Sequence, residues 1–438
     1  MRASIGRAIL LLAAAAAAAA DYETPPTLHA GDVLAADVVR GDHHAVDDEV
    51  TSDGFMNSFA ITSDFGEFTA YGERTLILRL HEIAALGELS DLSKSEVFID
   101  AVGEGALRSL KGLQQIATNP VETAKGLPDG VNRFFKRVKH TTKQGVDSAK
   151  GLVDDDAKEG EGADSAAAGD APSTTEKAKE TTTAYAKKYF GVGAAQRRWA
   201  QKLEVDPYTS NEVLQKALAD VAKVDAAGRF ATRLAPIPRI PGAKYANTVT
   251  ALVWTREPWE VVEENSKALL AAGATQEMIQ GFFANVAFSP TLQTAFVQAI
   301  LGLGKVENLS RALEQAQGAE SEDEARFFVQ GAAMLRWFHE RQSPVTGLLA
   351  AGERVFVAKA ADGRVVVLLP VDLLFWTREL GDATARMTPD LEKADRREIW
   401  LAGELSDAAR RGLEEHGWKA QPKTAAKMQA DAAAQAGR

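Results

Sequence analysis

The residues of this chain that could do chemistry fall in a few short clusters, and their spacing argues against most of the chemistry they suggest. Asp42-His43-His44, followed by Asp47-Asp48-Glu49, offers imidazole and carboxylate donors close together. Such donors suit a borderline or hard divalent cation. Neighbouring residues on a strand point to opposite faces, however, so His43 and His44 cannot readily grip one ion. The fixed ligand spacing of a zinc motif is also missing, and a solvated loop is expected. His81-Glu82 and His339-Glu340 each form half of H-E-x-x-H. The position of the second histidine holds Ala85 in one and Ser343 in the other, so neither makes a zinc-protease helix. His339 stands beside Trp337 and Phe338 near an expected helix end, where packing or a contact with the helix dipole accounts for it.

Phosphate loops and nucleophiles fare no better. Gly103-Glu104-Gly105 and Gly191-Val192-Gly193 lack a third glycine and a preceding strand, and Gly302-Leu303-Gly304-Lys305 lacks the phosphate-loop spacing. No G-x-S-x-G elbow occurs. The chain has no cysteine, which removes thiol nucleophiles, thiolate metal sites and disulfides. No catalytic residue, metal ligand or cofactor is therefore predicted. A hydrolase assembled from scattered Ser, Asp and His is the enzymatic alternative, because triads are defined by geometry and not by order.

Binding chemistry has more behind it. The whole chain carries a net charge of −11, which disfavours nucleic acid as a partner. Yet residues 105–150 hold nine Lys/Arg against three acids. Within them Val131, Phe134, Phe135 and Val138 recur at i, i+3, i+4 and i+7, the apolar stripe of an amphipathic helix. Arg133, Phe134, Phe135, Lys136, Arg137, Lys139 and Lys143 form a candidate surface for a protein partner or an anionic membrane. Each basic residue near such a leaflet is worth about 1 kcal/mol. The alternative is that the stripe packs on the N-terminal sheet and the charges are simply solvated. The uncharged stretch Met278–Gly304 raises a pore-forming hairpin as a rival. Each half falls short of the ~20 residues a spanning helix needs. Asn285, Gln293, Thr294 and Gln298 also interrupt it, so a buried central hairpin is expected. Trp254, Trp259, Trp337, Trp376, Trp400 and Trp418 would suit an aromatic groove, but core filling explains them with less.

The elements around these clusters begin with a leader. Arg2 and Arg7 precede an apolar run from Ala8 to Ala20, the layout of a secretory signal peptide with cleavage near Ala18–Ala20. The run spans about 20 Å as a helix, short of the ~30 Å hydrocarbon core. The composition, 45% hydrophobic and 25% charged, is that of an ordinary globular chain able to build a core.

The expected organisation is a signal peptide (1–20), a small β/α domain (21–92), basic amphipathic helices (93–153), an acidic disordered linker (154–175), a helical domain (176–350), an α/β unit (351–422) and a frayed tail (423–438). The fold class is α+β: mostly helical, with a small N-terminal β/α unit and a C-terminal β-hairpin plus strand-helix-strand unit.

Within this plan, Asp32 to Gly72 carries β signals, with Phe55, Phe59 and Ile61 on one face and a turn at Ser63–Gly66. Thr75–Leu80 fits strand or helix, and Glu82–Leu92 fits a helix. Thr209 and Glu212 have the spacing of a capping box, and Pro258 suits a first helical turn. Asp362-Gly363 predicts a type I′ hairpin. Ile399–Leu401 reads as a strand, and Ser406 and Gly417 bound a helix. Together these features predict a periplasmic or secreted, non-enzymatic envelope protein that binds a protein partner or the membrane surface. A helical membrane-perturbing effector is the first alternative and a hydrolase the second.

Overall fold

Alternation along Asn57–Ser63 sets the first sheet. Asn57, Phe59 and Ile61 turn inward while Ser58, Ala60 and Thr62 do not, the period of a strand with one covered face. The protein is known from a computed structural model, which describes residues 22–94, 191–225, 251–351, 354–388, 391, 394 and 396–436. The N-terminal strands are β1 (Leu28–His29), β2 (Arg40–Gly41), β3 (His44–Val46), β4 (Glu49–Ser52), β5 (Asn57–Ser63) and β6 (Gly66–Tyr71), all paired antiparallel. The expected turn joins β5 to β6, with Ser63 paired to Gly66.

Asp32–Val39, read as β, instead forms two single-turn helices, α1 (Ala30–Val33) and α2 (Ala36–Val39). Valines so few and so spaced do not separate the two periods. Burial of Ala30 and Val38 in the core of this unit decides the outcome.

The ambiguous Thr75–Leu80 stretch is helical. It belongs to α3 (Glu73–Lys94), which covers the sheet with Leu76, Leu80, Ile83 and Leu89. The same core takes Trp199 from α4 (Ala194–Lys202) and Leu214 and Leu218 from α5 (Glu212–Asp225). The expected capping box is not made. Asn211 caps α5, its Oδ1 accepting from Leu214 N at 3.1 Å. The Thr209 hydroxyl instead donates to the buried Glu82 carboxylate of α3 and accepts from Asn211 N at 3.1 Å.

The middle of the chain is helical: α6 (Ala251–Thr255), α7 (Pro258–Ala271), α8 (Gln276–Ala284), α9 (Pro290–Leu301), α10 (Arg311–Gln317) and α11 (Glu322–Arg341). Pro258 starts α7, where its missing amide costs nothing. The uncharged stretch folds as the α8–α9 pair around Phe282, Phe288 and Phe296. Its polar residues are satisfied inside the protein: Asn265 Nδ2 donates to Thr294 Oγ1 at 3.0 Å, and Gln293 Nε2 to Phe283 O at 3.3 Å. Among the described residues, no helix is long and apolar enough to cross a membrane.

The C-terminal sheet runs β13-β11-β9-β8-β7. β7 (Val345–Leu348), β8 (Phe356–Ala360) and β9 (Arg364–Leu369) are antiparallel. β11 (Arg396–Leu401) and β13 (Lys419–Gln421) then run parallel to β9. Short β10 (Leu373–Leu374) and β12 (Glu404–Leu405) pair beyond its edge. Helices α12 (Arg378–Met387) and α13 (Asp407–Glu415) make the crossovers that parallel strands require. β9 is apolar from Val365 to Leu369 because both of its faces are covered.

The Asp362-Gly363 hairpin is present, but its turn is not type I′. Only Gly363 has positive φ (84°), and its amide donates to Ala360 O at 3.1 Å. Arg364 N bonds Asp362 Oδ1 at 3.2 Å and holds the aspartate in an ordinary conformation. Ser406 caps α13 and Gly417 follows its end with φ 76°, as expected. The tail expected to fray is instead helix α14 (Thr424–Ala436). Thr424 is fully buried, and Trp337 Nε1 donates to Asp431 Oδ2 at 2.8 Å, so tertiary contacts hold a segment whose composition gave no apolar stripe.

The two sheets meet through a loop. Phe55, expected to share a face with Phe59 and Ile61, lies just before β5 and enters the core of the C-terminal sheet instead. Its carbonyl accepts from Asp372 N at 3.0 Å, and Gly54 O accepts from Phe375 N at 3.0 Å. Phe55→Ala should cost about 3–5 kcal/mol. Chemical denaturation checks this, and a loss under 1 kcal/mol would show that the loop does not join the two cores.

Candidate functional site

In open α/β sheets, ligands bind outside the carboxyl ends of the parallel strands. Here β9 is followed by Pro370-Val371-Asp372 and β11 by Ala402-Gly403, and these residues line a pocket of about 210 Å³. The rest of its wall comes from elements far away in sequence. The N-terminal unit gives Leu34, Ala35, Val38, Glu73, Arg74 and Ile77, α11 gives Gln330 and Met334, and α14 gives Ala425 and Gln429. Val38, Ile77, Met334, Pro370 and Val371 are buried and make an apolar floor, while Ala35, Glu73 and Gln429 are exposed at the mouth.

Asp372 organises this junction. Its Oδ2 accepts from Asn57 N at 3.0 Å, and both oxygens accept from Glu73 N, at 3.1 and 3.2 Å. One carboxylate thus holds the start of β5 and caps α3 across about three hundred residues of chain. Gly403 fits against it by close backbone approach. A Cβ there would lie 1.9 Å from Asp372 O, so only glycine is tolerated. Nearby, Asp53 Oδ1 takes the Phe55 and Met56 amides, both at 2.9 Å, and Tyr71 donates to Asp53 Oδ2.

Burial pushes the Asp372 carboxyl up to about 7; Glu73 and Asp53 add repulsion, while the two amides it accepts oppose the rise. Glu73 is also raised by the protein packed around it. Its side chain is open to water on one side, so that push is the weaker one. A second polar cluster joins α3 to the helical middle: Arg79 and Glu82 pair at 2.5 Å, and Asn211 Nδ2 donates to Glu82 at 3.2 Å. Thr291 donates to Asp206 at 2.5 Å. Burial raises Asp206 and Asp323 to about 6 each.

The clusters singled out from sequence lie elsewhere. His43 and His44 diverge: His43 Nδ1 pairs with Asp64 at 2.8 Å, while His44 Nε2 meets Val38 O at 3.1 Å. His81 Nε2 meets Glu204 O at 3.2 Å, and His339 Nδ1 accepts from Val345 N at 3.0 Å just past its helix. Among the described residues, no group of three or more His, Cys, Asp or Glu could hold a metal ion. Trp337 and Trp400 pack together in the core, and Trp259 is exposed on α7. Arg133, Phe134, Phe135, Lys136, Arg137, Lys139 and Lys143 lie outside the described residues.

Sequence reasoning missed Asp372 and Glu73. The available signal was Asp372 directly after the apolar run Val365–Val371, the position a strand's carboxyl end presents. No family model matches the chain, and no curated protein or solved structure matches it either.

A carboxyl group with a folded pKa near 6–7 and an unfolded pKa near 3.9 binds its proton more tightly in the folded chain. It therefore stabilises the fold as pH falls, with the gain complete below the unfolded pKa and lost as pH rises through the folded one. The melting temperature should be higher at pH 5 than at pH 8. Asp372→Asn, which keeps an acceptor oxygen, should reduce that difference. A melting temperature that rises from pH 5 to pH 8 would contradict the assignment.

Proposed function

We propose that this chain is an exported, non-enzymatic binding protein of the cell envelope, periplasmic or secreted, and that the pocket between its two sheets receives the ligand. The observation that carries the reading is the pocket itself. It combines a buried apolar floor with a few polar groups at the rim, at the end of the sheet where α/β proteins bind. Export rests on the basic start and the alanine run of residues 1–20. On the same reading, the basic amphipathic segment around Arg133, Lys136 and Arg137 meets a protein partner or an anionic leaflet.

The alternatives have less behind them. His29, His43, His44, His81, His339 and His416 each have a ring nitrogen engaged by a carboxylate or the backbone, and none of the six lines the pocket. Gln293 and Thr294 of α9 are buried and bonded within the helical domain, as a buried hairpin requires.

Native mass spectrometry of protein recovered from the envelope tests the proposal. The chain should begin near residues 19–21 and carry a small-molecule mass. Ala425→Phe, which fills the pocket from α14, should shed that mass. Retention of Met1, or an unchanged load in the variant, would contradict it.

A further inference from the structure

We propose that the ligand is a small amphiphilic cation, a primary ammonium on a short hydrocarbon body. The inference rests on the pocket being a binding site and names what it takes. Size comes first. A dry cavity of 150 Å³ accepts benzene, so about 210 Å³ suits a body of about eight heavy atoms. Shape and polarity then orient it. Val38, Ile77, Met334, Pro370 and Val371 give the hydrocarbon a buried floor, and Glu73 and Asp372 stand where the head group would sit.

The charged side chains lining the pocket are the Glu73 and Asp372 carboxylates and the Arg74 guanidinium. An ionised carboxylate has about four acceptor positions. The Asn57 and Glu73 amides take up only part of Asp372's capacity. Unused acceptor positions on a carboxylate that burial drives toward its neutral form favour a ligand that brings donors and positive charge. Arg74 also lines the pocket, but two carboxylates outnumber one guanidinium, so the ionised site is net negative.

The titration sets a direction. Glu73 and Asp53 repel the Asp372 charge, Arg74 also lines the pocket, and Glu404 and Lys423 pair with each other where β12 and the residue before α14 pack beside Asp372. Arg74 stays charged throughout, so the carboxylates alone govern the pH dependence. Protonating them removes the attraction, and cation affinity must fall as pH drops.

Isothermal calorimetry on the full mature chain tests this with hexylamine, hexan-1-ol and hexanoate, which share a chain and differ in head group. An alkylamine stays protonated through neutral pH, as lysine does at about 10.4. Hexylamine should bind at least tenfold tighter than hexanol, hexanoate should bind weakest, and amine affinity should rise from pH 5.5 to pH 8. Glu73→Gln should cut the preference for amine over alcohol at least fivefold, while Ala425→Phe should abolish binding of both. If hexanol or hexanoate binds as tightly as the amine, and Ala425→Phe still blocks it, the cation inference falls and the pocket reading stands. If none of the three binds in a way that Ala425→Phe affects, both fall.

Discussion

A single carboxylate, that of Asp372, holds the two sheets of this protein in register. It sits at the end of β9 and accepts the amides of Asn57 and Glu73, which begin β5 and α3 of the other unit. Asn57 is buried, and leaving a buried amide without a partner costs about 1–3 kcal/mol, which favours this seat of the N-terminal unit against the C-terminal sheet. The contacts around it follow from that seat. Phe55 enters the C-terminal core, its carbonyl takes the Asp372 amide, and Gly403 lies flat against the Asp372 backbone. Glu23, near the start of the described chain, adds a further tie by accepting from Trp376 N and Ser406 Oγ.

The pocket is a product of that junction. Parallel strands β9 and β11 end side by side, and the N-terminal unit covers their ends without filling the space beneath α1, α2 and the first turn of α3. The same packing that makes the pocket leaves Asp372 only partly exposed, and its carboxyl rises because desolvation outweighs the two amide bonds. On the proposed reading, stability and cation binding share one group and respond to pH in opposite senses: protonation relieves the fold, and ionisation favours positive charge in the pocket.

Local features were legible in the sequence because local forces set them. Alternation along β5, Pro258 at the start of α7, Ser406 before α13, and the short uncharged hairpin of α8 and α9 all appear where spacing places them. Non-local features were not. Thr209 has capping-box spacing, yet it serves Glu82, more than a hundred residues away. The Ala-rich tail has no strong stripe, yet Trp337 and a buried Thr424 hold it as a helix. Asp32–Val39 is apolar at six of its eight positions, with Asp32 and Asp37 as its polar residues, and so shows neither period cleanly. The site was hidden for the same reason: Glu73 and Asp372 become neighbours only once both sheets exist. The chemistry-rich histidine clusters drew attention instead, and they bond locally or to the backbone.

Amide hydrogen exchange read residue by residue, comparing the native chain with Asp372→Ala, tests the junction most directly. The account predicts that the Asn57 and Glu73 amides exchange at least tenfold faster in the variant, while the β8–β9 amides keep their protection. Unchanged protection at Asn57 and Glu73 would contradict it, because those amides would then owe their shelter to something other than the Asp372 carboxylate.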